Sequence, residues 1–207
     1  MALVLMPSDA VFVRTQWVPP AQNQINTSGW TGARQVLRAP GVGRWRVSAA
    51  LKPIAREIDV FAWRAFCTAV EGQANTFLMP YCKNQYRAPG MGSNPVVKTG
   101  QGDLSGNETM VIAGLGAAGT KMYAGQVITV TLPSGKKQML MLKAHLIAAS
   151  NGEATATFRA ALRESPAGNS AVETLNPVAE MAMTDDAVPI PQDNGVYNLA
   201  FEAAEVW

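Results

Sequence analysis

Three glycines in the stretch TMVIAGLGAAGT, Gly114, Gly116 and Gly119, are spaced as G-x-G-x-x-G. That spacing is the fingerprint of a strand-to-helix turn whose amides cradle a dinucleotide pyrophosphate. The chemistry needs a helix directly after the glycines, because its N-terminus supplies the amide donors and partial positive charge. Here Thr120 to Gly125 follows, and Gln126 to Leu132 then turns β-branched. That interval holds about one and a half helical turns, whereas a crossover needs about a dozen residues. An acid to bind a ribose, expected about 20 residues on, is also missing, since no Asp or Glu stands between Glu108 and Glu153. The stretch is expected to be a loop between two antiparallel strands, its glycines permitting positive φ. No cofactor is expected.

The single histidine, His145, lies in MLMLKAHLIAA on a predicted strand. Without a second histidine it cannot join a His-based metal cluster. As a lone general base it lacks a nucleophile in a recognisable motif, since neither G-x-S-x-G nor H-E-x-x-H occurs. Asp185-Asp186 is a carboxylate pair, but neighbours on one strand point to opposite faces, so a solvated turn is expected. Met139, Met141, Met181 and Met183 alternate along predicted strands and read as core filling. Cys67 falls in a helical pattern and Cys82 at a strand end. They read as two free thiols in a reducing compartment, not a disulfide framework. No catalytic residue, metal ligand or cofactor contact emerges, and the protein is expected not to be an enzyme.

The chain has 207 residues, 48% hydrophobic and only 15% charged. The charged share lies below the usual quarter or so of soluble domains, which suggests surface hidden against other subunits. The net charge of +2 lacks the basic excess of a nucleic-acid binder. Charge is uneven: residues 1–93 carry ten Lys/Arg and four Asp/Glu, 94–185 seven of each, and 186–207 four acids and no base. The acidic end is expected beside the basic start. MALVLMPSDA has no basic residue and turns polar at once, unlike a cleaved signal sequence. No apolar run approaches the roughly 20 residues that span a bilayer. A soluble, unsecreted protein without membrane contact is expected.

Val11–Val18 (VFVRTQWV) is a strand by composition. Arg34–Ala39 and Arg44–Leu51 flank Pro40-Gly41-Val42-Gly43 and read as a hairpin. In Arg44–Leu51, Trp45, Val47, Ala49 and Leu51 alternate with polar residues, the period of a half-buried strand. REIDVFAWRAFCTAVEG is the one helical pattern, with Ile58, Phe61, Ala62, Ala65, Phe66, Ala69 and Val70 on one stripe. Gly72 suits the position after its last turn. Ile58, Phe61, Ala65 and Ala69 are expected to cover a sheet. Trp63 lies off the stripe, as either a second packing surface or an exposed contact. Asn75–Tyr81 reads as another strand.

RAPGMGSN (87–94) marks a boundary. Short strand candidates follow at Val96–Lys98, Thr109–Ala113, Gln126–Leu132, Gln138–Ile147, Glu153–Leu162 and Val178–Met183, with turns at Pro133-Ser134-Gly135 and Asn151-Gly152. Such spacing suggests a small antiparallel barrel. A second boundary runs from Pro189 to Gly195. The chain then ends in a strand, VYNLAFEAAEVW, which needs the N-terminal sheet as a host. The reading is mainly β with one helix: residues 1–93 and 189–207 make one domain, and 94–188 an inserted barrel.

The segment WRVSAALKPIAREIDVFAWRAFCTAVEGQANTFLMP, Trp45 to Pro80, resembles part of long-tailed phage tail-tip proteins. There an alternating strand, a helix with W-R-A-F, a short loop and an aromatic-leucine-proline strand recur in this order. The later barrel and a closing strand of the type G-x-Y-x-L-x-F-E are similar in outline to the siphophage distal tail protein. The resemblance implies a tail-tube-like β-sandwich with one packed helix and an inserted OB-like barrel. It implies a homohexameric ring in the virion tail tip, assembled in the host cytoplasm, between the tail tube protein and the baseplate hub and fibre proteins. Transient contact with a host saccharide is implied for the barrel, and sequence-specific nucleic-acid binding is not. Trp63 and Trp207 are the candidate subunit-interface residues. Two alternatives stay open: a carbohydrate-binding module, although only Tyr123 and Phe158 are aromatic between 94 and 185, and another tail-tip component such as a tube or terminator subunit.

Overall fold

The computed structural model describes residues 1–8, 10–21, 23–38, 43–98 and 105–206. In chain order the strands are β1 (Leu3–Val4), β2 (Phe12–Val18), β3 (Asn23–Thr27), β4 (Arg34–Arg38), β5 (Arg46–Leu51) and, after helix α1 (Glu57–Val70), β6 (Thr76–Pro80). Next come β7 (Val96–Val97), β8 (Thr109–Ala113), β9 (Lys121–Met122), β10 (Val127–Thr131), β11 (Lys137–Leu142), β12 (Leu146–Ile147) and β13 (Ala154–Arg159). The last are β14 (Val172–Glu173), β15 (Val178–Met183), β16 (Gln192–Asp193), β17 (Val196–Tyr197) and β18 (Ala200–Glu205). Among the described residues the protein is mainly β with a single helix, as the sequence suggests.

Two compact units share the chain. One is built from 1–19, 44–80 and 179–207, the other from 20–43 and 81–178. The divisions at 80/81 and 178/179 differ from the expected 93/94 and 188/189. Gly92 of RAPGMGSN serves a close approach inside the second unit, where a Cβ on it would lie 2.0 Å from the Gly114 carbonyl oxygen.

The first unit holds a six-stranded sheet, ordered β1-β6-β15-β18-β5-β2. β18 lies between β15 and β5, with Ala203 opposite Met183 on one side and Val47 on the other. β15, expected in the inserted barrel, therefore belongs to this sheet. The hairpin expected across Pro40–Gly43 does not form. β5 pairs with β2 and β18, and β4 pairs with β3. β3 reads NQINT, too polar to register as a strand by composition. Residues 39–42 of the expected turn lie outside the described residues. Period-two alternation holds on both central strands. Val47, Ala49 and Leu51 of β5, with Phe201 and Ala203 of β18, are buried on the helix-covered face, and Arg46, Ser48 and Glu202 are exposed on the other.

Helix α1 buries Val60, Trp63, Phe66 and Val70. Five rings pack edge to face in a closed circuit: Phe12–Trp63 (6.5 Å), Trp63–Phe66 (5.7 Å), Phe66–Phe77 (5.3 Å), Phe77–Phe201 (5.9 Å) and Phe201–Phe12 (6.2 Å). Such pairs add about 0.5–1.5 kcal/mol each beyond area burial. The expected facing is thus corrected. Phe66 and Val70 of the predicted stripe point inward, but Ile58, Phe61, Ala62, Ala65 and Ala69 are exposed. The helix carries apolar residues on roughly opposite sides, and the side with the larger volume, Trp63 above all, takes the core. Trp63 is only 3% exposed within one chain, so it offers no surface to a neighbour. Trp207, the other candidate interface residue, lies outside the described residues. Glu71 turns left-handed to end the helix, and Gly72 follows at φ +61°. A Cβ on Gly72 would sit 2.6 Å from Asp186 backbone atoms, so this corner needs glycine.

In the second unit another six-stranded sheet runs β14-β10-β11-β13-β8-β7. Its core holds Met110, Ile112, Ile128, Leu140, Leu142 and Phe158. The expected Pro133–Gly135 turn joins β10 to β11, with Val130 opposite Gln138. The sheet bends until its edges meet at the bridge Val96–Ala171, where the Val97 N–H donates to the Ser170 carbonyl and the Val172 N–H to the Pro95 carbonyl. That bridge is not a continuous ladder, so no barrel is closed. β9 and β12 pair as a separate two-stranded sheet. The strand predicted over Gln138–Ile147 is two strands, β11 and β12, and His145 lies in the turn between them.

Candidate binding surface

The GLGAAG stretch joins β8 to β9 with no helix between. Gly114, Gly116 and Gly119 all have positive φ, as expected. At Gly116 a Cβ would lie 2.1 Å from the Gly90 carbonyl oxygen. Leu115 between them is buried, and its N–H donates to the Gly152 carbonyl. Gly116, and less tightly Gly114, whose Cβ would lie 3.3 Å from the Asn94 carbonyl oxygen, pack backbone against backbone, whereas a Cβ on Gly119 would meet open space.

The other flagged residues scatter. Asp185 and Asp186 are exposed on a bend. Met139, Met181 and Met183 are core. Cys67 and Cys82 are unbonded and half-buried. Burial pushes both thiols up, with a backbone hydrogen bond opposing it slightly at Cys67. Burial also raises the Tyr81 hydroxyl, with the neighbouring Cys82 charge adding to it. Among the described residues no three His, Cys, Asp or Glu come together as a metal site. No described helix is long and apolar enough to cross a membrane.

His145 does take part in a cluster. Its ring packs edge-on to Tyr123 at 5.6 Å, and Tyr123 lies 5.9 Å from Tyr86. Lys121 Nζ sits 4.9 Å from the Tyr123 ring centre, within cation–π range. Tyr86 is 60% exposed and Tyr123 41%. Local hydrogen bonds fix the arrangement. Gln126 Oε1 accepts from the Tyr123 N–H at 2.6 Å, and its Nε2 donates to the Tyr86 carbonyl at 2.7 Å. The Ala124 N–H donates to His145 Nδ1 at 3.1 Å. A neutral imidazole accepting there carries its proton on Nε2. Two exposed tyrosine rings, one N–H donor and one ammonium suit a ligand with an apolar ring face and hydroxyl edges. Counting aromatics from 94 onward missed this group, because Tyr86 lies before the assumed boundary and Phe158 is buried. A cleft of about 350 Å³ also lies in this unit, with Arg87, Asn94, Lys137 and Glu173 among its lining residues. The Glu173 carboxylate there is committed to the Leu175 and Asn176 amides.

The largest exposed apolar groups lie elsewhere. β3 and β4 form a two-stranded sheet of their own, with Ile25 opposite Val36 and both exposed. The connecting loop is ordered by its own bonds. Ser28 N–H donates to the Ala33 carbonyl, Gly32 N–H to the Ser28 carbonyl, and Thr31 N–H to Ser28 Oγ. It holds Trp30 96% exposed. Leu37 is exposed too, as are Val13 and Val18 on edge strand β2. The exposed side of α1 adds Ile58 and Phe61. The chain matches no protein-family model and no curated protein sequence.

Proposed function

We propose that the protein is a structural subunit that assembles with copies of itself into a ring. Its role is that of a distal tail protein of a long-tailed phage, joining the tail tube to the baseplate hub and tail-tip fibres. The proposal assigns no catalytic step and no cofactor. The observation that carries it is the β3–β4 hairpin. A lone two-stranded hairpin is marginally stable in water, yet this one exposes Ile25, Val36, Leu37 and a preorganised Trp30. Exposed aromatic anchors of this kind are enriched at protein–protein interfaces. The open, partly apolar edge strand β2 is a second surface that invites pairing. The resemblance of Trp45 to Pro80 to tail-tip proteins supplies the identity of the assembly. A tube or terminator subunit would share these surfaces, and a micrograph separates a flat ring from a stacked tube.

The test is solution mass. A species near six times the 22.0 kDa chain supports a closed ring, and a monomer at every concentration overturns it. A second reading, saccharide contact, is favoured by the Tyr86–Tyr123–His145 cluster. Glycan-array binding lost in Tyr86→Ala and Tyr123→Ala supports that reading, and an array without hits overturns it.

A further inference from the structure

The assembly reading leaves open which surfaces meet, and the inference here rests on that reading. Among the exposed apolar groups of the described residues, two surfaces differ in charge. One is the outer side of α1, where Ile58 (63% exposed) and Phe61 (52% exposed) stand beside Ala62, Ala65 and Ala69. Most surface helices turn a single apolar stripe inward, and one apolar on more than that side is normally buried. The other is the β3–β4 hairpin with Trp30. Their charges are opposite in sign. Residues 23–38 carry Arg34 and Arg38 and no acid, whereas 56–71 carry Glu57, Asp59 and Glu71 against Arg56 and Arg64. The pairs Arg56–Asp59 (3.7 Å) and Glu57–Arg64 (4.0 Å) are exposed, so each contributes little and can exchange partners.

We infer that the β3–β4 hairpin of one copy docks on the outer side of α1 of the next. Trp30, Ile25 and Val36 cover Phe61 and Ile58, and Arg34 faces the acids of the first helical turn. The occupant follows from stoichiometry. A hairpin that needs cover in every molecule is supplied with it at fixed ratio when the cover is the same chain. Because the two surfaces differ, the contact is heterologous, and repetition gives a ring or an open filament.

Two exposed-site variants test this by mass photometry and sedimentation. Phe61→Glu removes the helix surface and Trp30→Glu the hairpin surface. Each is expected to melt like the wild type and to weaken self-association by roughly 30-fold or more, the scale of a hot-spot residue. Trp30→Ala and Phe61→Ala repeat the test without an added charge. The deciding measurement is an equal mixture of the two Glu variants. The Phe61→Glu chain keeps an intact hairpin and the Trp30→Glu chain an intact helix surface, so the mixture should form heterodimers and stop there. A wild type that assembles while either variant assembles equally well overturns this pairing and leaves the ring reading standing. Two monomeric variants that fail to pair on mixing also overturn it. A wild type that is monomeric throughout overturns both.

Discussion

Helix α1 presents two apolar sides that its sequence makes nearly equal. The inward one, Val60, Trp63, Phe66 and Val70, is closed into a circuit of five rings with Phe12, Phe77 and Phe201. The outward one, Ile58, Phe61, Ala62, Ala65 and Ala69, meets solvent within one chain. Apolar character alone does not choose between them. Volume does: the side with the indole and Phe66 fills a core, whereas alanines on the other leave little to bury. The same helix therefore separates residues that hold the fold from residues free to hold a neighbour.

The strongest way to break this comparison is Trp63→Ala. Removing a buried indole is expected to cost roughly 3–5 kcal/mol, a large part of a typical margin of about 5–15 kcal/mol. Urea unfolding measures it, and a loss below about 1 kcal/mol, the average for any substitution, would mean the ring circuit is not the core. Next comes Gly72→Ala at the helix end. Its φ of +61° disfavours a side chain by about 1–2 kcal/mol, and the Cβ would press on Asp186 backbone. A loss of about 2 kcal/mol or more is expected from strain of this kind. An unchanged melt would show that the corner is loose and does not set the inward side.

Phe61→Ala should do far less to the isolated chain. Half-exposed surface residues usually move stability by about 0.5 kcal/mol or less. A monomer melt lowered as much as by Trp63→Ala would reverse the two sides of the helix. With monomer stability kept and self-association weakened, the outward side is an interface.

How far the sequence disclosed this follows from what each residue had to decide. β5 was legible because Trp45, Val47, Ala49 and Leu51 leave one possible buried face. β8 and the Pro133–Gly135 hairpin were legible for the same reason, together with turn chemistry. The helix was legible as a helix but not in its facing, since periodicity weighs Ala65 and Trp63 alike. β3 was hidden because NQINT carries one apolar residue and pairs outside any core. Gly92, in the stretch 87–94, marked a close backbone contact inside a unit, where composition suggested a joint. That shift concealed the Tyr86–Tyr123 pair, which depends on Gln126 reaching across 40 residues. No local pattern encodes such a contact.

The smallest effect concerns Cys67, on the flank of the inward side. Burial raises its thiol above the ordinary range, which for a free thiol centres on about 8.5. At a given pH the folded chain therefore holds less thiolate than the unfolded chain, and thiolate is the nucleophile. In a Cys82→Ser background, alkylation by iodoacetamide at pH 7.5 should be several-fold slower folded than in urea, and the folded rate should rise with pH through a higher midpoint. The sign for stability follows. The neutral thiol is favoured in the fold, so its contribution is complete below the unfolded midpoint. It is lost as pH climbs through the folded one, because the unfolded chain ionises first. Urea unfolding of this variant should therefore show stability falling at alkaline pH, with a smaller fall when Cys67 is also changed to Ala. Equal alkylation rates in the folded and unfolded chain would place Cys67 with the outward residues, and the line between the two sides of α1 would have to be redrawn through it.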